Sequence, residues 1–229
     1  MRQIKTFSDS RLNTQCAYCG NYPETRDHVP SKIILEKPFP ENLPVVPSCS
    51  ECNEGFSLDE EYFACLIECT ICGTTDTENL NRDRIAKILN RKPKLKSKLS
   101  EAIVYENDKT YFKIEKERIE NVLSKLAFGH AKFENSETVF EKPSSISFVP
   151  YEMLTETQKT EFLSSDGLEI APEVGSRAML NTHFIDGIPI SNWTIVQEGI
   201  YEYSVIMTLS NLTVRILIWK YLACEIIWN

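Results

Sequence analysis

Histidine is scarce in this 229-residue chain, with three in all, and glycine is thin at eight. No two histidines stand three to five residues apart, so a C₂H₂ finger cannot be built. No His-x-Glu accompanies a Pro-Cys-x-x-Cys, which excludes the zinc deaminases. A glycine-rich phosphate loop, an internal repeat and a low-complexity tract are all missing. Net positive charge is missing too: 25 Lys+Arg face 33 Asp+Glu, a net of −8. Such a chain does not coat nucleic acid or an anionic membrane by bulk charge. The most apolar stretch, Leu212 to Trp228, is interrupted by Arg215, Lys220 and Glu225, short of the roughly 18 uninterrupted apolar residues of a span. The opening MRQIKTFSDS has no apolar h-region and no small-residue cleavage site. The expectation is a cytoplasmic protein with no membrane partner.

What is present is a globular composition, 42% hydrophobic and 25% charged, with eight cysteines. In a reducing compartment these read as metal ligands or buried small hydrophobes before disulfides. Seven of them lie between Cys16 and Cys72, leaving Cys224 alone in the remainder. This suggests a small metal-stapled module followed by a conventionally cored one. The stretch between them, Arg82 to Lys98, holds eight basic residues against the single acid Asp83, a net of +7 that leaves −15 for the rest. Its Arg82, Arg84, Lys87, Arg91, Lys92, Lys94, Lys96 and Lys98 are the natural phosphate contacts, salt-dependent and indifferent to base sequence.

Periodicity predicts a helix over 79–91 with Ile85, Ile88 and Leu89 on one face, ended by Pro93. It predicts a hairpin over 105–114 around Asn107-Asp108, a helix over 117–133 and a shorter helix over 151–163. Residues 193–207 and 212–228, rich in Val, Ile, Tyr and Trp, read as antiparallel strands. Cys65, Cys69 and Cys72 share one face of a helix that Ser57-Leu-Asp-Glu60 would open as a capping box, so they read as buried thiols. His130 within a helix pattern and His183 in a loop-like stretch read as structure or surface.

The informative segment is Cys16 to Phe63. Cys16-Ala-Tyr-Cys19 and Cys49-Ser-Glu-Cys52 are two CxxC knuckles, each able to present two thiolates to one tetrahedral Zn²⁺. Residues 20–48 between them number 29, longer than the gap of about 15–20 in a plain zinc ribbon. The insert holds Asp27-His28-Val29-Pro30 and Asn42-Leu43, and Asn53 follows the second knuckle at once.

That order of motifs resembles the Cys₄ variety of the HNH, or ββα-metal, endonucleases, over about a fifth of the chain. The resemblance implies a zinc-stapled hairpin with His28 ending its first strand, Asn42 near its second, and a helix after the second knuckle. It implies His28 as general base, Asn42 as the residue orienting it, and Asp27 with Asn53 as ligands of a catalytic Mg²⁺ or Mn²⁺. It further implies hydrolysis of nucleic-acid phosphodiesters, DNA before RNA. Antiphage defence is one setting such nucleases occupy, with a protein partner or activator reached through the C-terminal region. The competing expectation is a catalytically silent zinc-bound module that binds nucleic acid or protein. The expected fold class is α+β: an HNH module over 1–75, a basic helical linker over 76–104 and an α+β domain over 105–229.

Overall fold

The computed structural model describes residues 13–106, 109–136, 138–164, 176–185, 188–191 and 193–229. In chain order the elements are β1 (Thr25–His28), β2 (Val45–Ser48), α1 (Ser50–Gly55), α2 (Ser57–Cys72), α3 (Asp83–Arg91), α4 (Pro93–Glu101), β3 (Ile103–Glu106), β4 (Lys109–Phe112), α5 (Lys116–Asn135) and β5 (Ser145–Pro150). There follow α6 (Glu156–Leu163), α7 (Arg177–Asn181), β6 (Thr182–Ile185), β7 (Ile188–Ser191), β8 (Thr194–Gln197), β9 (Tyr201–Met207), β10 (Leu212–Ile218) and β11 (Leu222–Trp228). The fold is mixed α+β. Its contacts form two compact units, Met1–Gly55 with Leu123–Asn229, and Phe56–Val122. Those limits differ from the breaks at 75 and 104 read from composition.

The Phe56–Val122 unit forms around α2, which buries Tyr62, Phe63, Cys65, Leu66 and Cys69. Ile85 and Leu89 of α3 and Leu99 of α4 are fully buried in the same unit. The basic stretch is therefore part of a core rather than a linker. Lys87, Arg91, Lys94 and Lys98 occupy the outer faces of two amphipathic helices, and Arg82, ahead of α3, is buried. The helix expected to end at Pro93 does stop there, at Arg91, though it starts at Asp83 rather than 79; Pro93 then opens a second helix, α4, at a first-turn position, where a missing N–H removes no intrahelical bond. The Ser57 capping box is not formed. Phe56 precedes α2 in helical geometry, with φ −86° and ψ −12° and no side-chain cap, so Ser57 already lies inside the helix. The expected hairpin is present as β3–β4; its Asn107-Asp108 turn lies outside the described residues. Cys65 and Cys69 are buried and Cys72 half-buried, and burial pushes the Cys65 and Cys69 thiols up to about 12.

In the other unit β1 and β2 pair antiparallel, with Thr25 opposite Ser48 and His28 opposite Val45. The main sheet is antiparallel in the order β5-β11-β10-β9-β8. The two strands expected over 193–228 are four. Gly199, at φ +69°, turns the chain between β8 and β9. Trp219 and Lys220, both at positive φ (56° and 49°), turn it between β10 and β11. A tight hairpin turn with positive φ usually announces itself with Asn or Gly, and here residues 219–221 carry neither. Residues 151–163 also split, into a 3₁₀ turn over Tyr151–Met153 and α6, whose start carries a Thr155–Gln158 capping box. His183 lies on β6 rather than in a loop.

Alternation sorts the sheet into two faces. Tyr201, Tyr203, Ile216, Ile218 and Cys224 form one, against which His130 of α5 stacks on Tyr203 at 3.6 Å. Leu217 and Ala223 on the other face cluster with Phe162 of α6. Arg215 pairs with Glu225 across β10–β11 at 2.7 Å. Its guanidinium also donates to the Glu161, Phe162 and Ser164 carbonyls that end α6, supplying positive charge where the helix dipole is negative. No helix among the described residues is long and apolar enough to cross a membrane.

Candidate functional site

Two tight turns bring the four cysteines of the knuckles together. The Tyr18 N–H donates to Cys16 Sγ at 3.5 Å and the Cys52 N–H to Cys49 Sγ at 3.4 Å, while Gly20, at φ +76°, reverses the chain after the first knuckle. The ligand atoms of Cys16, Cys19, Cys49 and Cys52 all lie within 4.8 Å of one another. Cys19 and Cys49 sulfurs are 3.7 Å apart, close to the edge of about 3.8 Å that four Zn–S bonds of ~2.3 Å impose on a tetrahedron. The cluster can hold a metal ion such as zinc. Burial raises the Cys16 thiol, but N–H groups of Cys49, Tyr18 and Cys19 outweigh it and bring it down to about 7. Burial, and then the neighbouring sulfurs of Cys49, Cys19 and Cys16, push the Cys52 thiol up. A metal ion bound there would take the four sulfurs as thiolates.

The strand pair β1–β2 and α1 follow directly from this staple. Thr25, Arg26, Asp27 and His28 alternate along β1, so Asp27 and His28 face opposite sides. His28 is half-buried and its Nδ1 is sealed from solvent without a hydrogen-bond partner. Burial lowers its pKa, Lys32 lowers it further and Asp27 opposes the shift. Asn53 sits on α1, its side-chain amide donating to Thr25 Oγ1 at 3.1 Å and to the Arg26 carbonyl at 3.5 Å. Asn42 lies in an exposed turn ahead of β2, and no hydrogen bond joins it to His28 among the described residues. The cysteines, Asp27, His28 and Asn53 are thus brought into one β1–β2–α1 unit, and Asn42 is not joined to His28.

Asp27 is engaged from elsewhere. Lys125 of α5 places Nζ 2.7 Å from Asp27 Oδ2, and the Tyr18 hydroxyl donates to the same oxygen at 2.9 Å. The lysine side chain is 2% exposed and the aspartate 10%. A simple match of repeats produces this contact. Lys125 and Gly129 share a helix face one turn apart, ~6 Å, and Val29, one residue past the end of β1, follows Asp27 by two residues, a step of at most ~7 Å. Gly129 meets Val29 just as Lys125 meets Asp27; a Cβ at Gly129 would stand 2.6 Å from Val29 Cγ2. The expected Mg²⁺ or Mn²⁺ does not fit this arrangement, because the carboxylate that would hold it already carries an ammonium.

Sequence reasoning missed Lys125 and Tyr18. The one local signal for Lys125 was a long cation beside Val122, Leu126 and Gly129 in an otherwise apolar helical stripe. The segment after β1 is held to the sheet: the Trp219 indole donates to the Ile34 carbonyl at 2.9 Å. The Gln197 side chain bonds both the N–H and the carbonyl of Glu36.

Of the expected phosphate contacts, Arg82 is 2% exposed, and its backbone N–H donates to Glu68. It offers no surface to a phosphate. Lys92 pairs with Glu61 and Lys98 with Glu115, each at 2.6 Å. Lys87, Arg91 and Lys94 are exposed on α3 and α4, and Arg84 and Lys96 are half-buried. No protein-family model, curated protein or solved structure matches the chain significantly.

Proposed function

We propose that the chain is an HNH-type endonuclease that hydrolyses nucleic-acid phosphodiester bonds, DNA in preference to RNA, at the β1–β2–α1 unit. The observation that carries this reading is a Cys₄ cluster stapling a strand that ends in His28, with the imidazole biased toward its neutral form. A neutral imidazole takes a proton from water. The water oxygen then bonds to phosphorus, the bond from phosphorus to the 3′ oxygen breaks, the departing 3′ oxygen takes a proton from solvent water, the imidazolium returns its proton to solvent, and 5′-phosphate and 3′-hydroxyl ends result. Exposed Lys87, Arg91 and Lys94 would track the phosphate backbone without reading bases. An antiphage effector, with residues of the 105–229 region engaging a protein partner, is the setting this reading suggests.

The test is nicking of supercoiled plasmid by wild type and His28→Ala, matched for zinc content and circular dichroism. The expected loss is at least ~100-fold, the scale of a general base. A wild type as inert as the variant on duplex DNA, single-stranded DNA and RNA, with Mg²⁺ or Mn²⁺ added, removes the nuclease reading.

A second reading, a catalytically silent zinc-bound binding module, is favoured by the ammonium on Asp27 and by the exposed Asn42. Under it, nucleic acid or a protein is bound, nothing is cut, and His28→Ala changes neither.

A further inference from the structure

We propose that Lys125 is the resident cation of the β1–β2–α1 site. It takes the place beside Asp27 where a divalent metal was expected, and Mg²⁺ or Mn²⁺ finds no tight Asp27-dependent site while it stands there. The contact between Lys125 and Asp27 is the same whether or not the chain cuts nucleic acid.

Lys125 Nζ and the Tyr18 hydroxyl converge on one oxygen, Asp27 Oδ2, at 2.7 and 2.9 Å. A hard divalent cation binds carboxylate oxygens at about 2.0–2.6 Å, so a metal on Oδ2 would stand against the ammonium. Withdrawing Lys125 would leave a buried carboxylate whose charge has lost its partner. The side chain is also fixed from behind. Gly129, one turn further along α5, lies so close to Val29 that no Cβ fits between them, and this close approach sets the height of Lys125 over Asp27. Tyr18 belongs to the first cysteine knuckle, so the cluster that staples the strand also supplies the second donor to Asp27. What an acid on a strand and an amide on the following helix offer a metal is present in Asp27 and Asn53. The charge that a metal would neutralise is already neutralised from within the chain.

The experiment is a Mn²⁺ titration of the zinc-loaded full chain, with free Mn²⁺ read by electron paramagnetic resonance. Wild type is expected to bind no more Mn²⁺ than Asp27→Asn. Lys125→Met is expected to acquire one site at least tenfold tighter than any in wild type, and the Asp27→Asn/Lys125→Met double variant to lose it. Lys125→Arg, which keeps the charge, is expected to behave as wild type. An Asp27-dependent Mn²⁺ site in wild type as tight as in Lys125→Met overturns the proposal. So does a folded, zinc-loaded Lys125→Met that binds no better than wild type. If Lys125→Met fails to fold, the comparison of wild type with Asp27→Asn still decides, because an Asp27-dependent site in wild type sinks the proposal. A chain that nicks DNA through His28 and binds Mn²⁺ at Asp27 would overturn this inference and leave the nuclease reading standing. A chain that binds no Mn²⁺ and nicks nothing would do the reverse.

Discussion

Three buried polar residues follow two different rules. Asp27 and Lys125 are charged, and each is tolerable because of the other; breaking such a pair from one side costs about 3–5 kcal/mol. His130 is fully buried and neutral: its Nε2 shares a proton with the Tyr201 hydroxyl at 2.7 Å, and its Nδ1 has no partner. Burial drives its pKa from 6.5 down to about 3. Above pH 6.5 the imidazole is neutral in both folded and unfolded chains and contributes no pH dependence. As pH falls below 6.5 the unfolded chain takes the proton and the folded one does not. Stability is therefore lost at about 1.4 kcal/mol per pH unit, until about pH 3. Urea denaturation of wild type and His130→Phe between pH 6.5 and 4.5 should show a wild-type loss about 2 kcal/mol larger than the variant's. Parallel pH profiles would mean that the folded chain also takes the proton in this range.

Among the elements, α5 and β1 are matched by their repeats, and Gly129 is where the match is tightest. In an exposed helix, alanine would be about 1 kcal/mol better than glycine. Here the added Cβ would meet Val29 Cγ2 at 2.6 Å and Cγ1 at 2.9 Å, and Val29 is 1% exposed with nowhere to swing. Gly129→Ala should destabilise the protein by about 1–3 kcal/mol, the scale of overpacking, as read from chemical denaturation. Val29→Ala made in the same chain should remove the clash, so that the pair is no less stable than Val29→Ala alone. Similar local matching explains which elements were legible beforehand. α5 was readable because Ile119, Val122, Leu123, Leu126 and Ala127 recur at helical spacing. The turn at Trp219-Lys220 was not, because the apolar pattern runs through it and no Gly, Asn or Pro marks the reversal.

At the scale of the molecule, the Cys₄ cluster is the staple of the β1–β2–α1 unit, whose elements are only four to six residues long. Strands this short do not hold themselves together in water, so a metal held by the cluster would link its binding to folding. Removing zinc with a chelator, or replacing Cys49 by Ser, should abolish amide-exchange protection across residues 25–55. Helices α2 to α4, which form their own compact unit, should keep theirs. Equal loss in both units would show that they do not fold separately.

The sequence by itself determined what depends on near neighbours. It marked the two knuckles, and the resemblance they carry implied a strand ending at His28. It also marked the amphipathic helices and the strand-rich C-terminus. Only the tertiary structure decided what depends on residues distant in the chain. Residues 56–122 close on themselves while Leu123–Asn229 packs with the N-terminal segment, a division that composition does not register because both units have ordinary cores. It also decided that Arg82 is buried, although it belongs to the most basic run of the chain. Most consequentially it set Lys125 against Asp27, 98 positions away in sequence. Strand alternation gave the side on which Asp27 points, and the packing of α5 on β1 gave the cation it meets there.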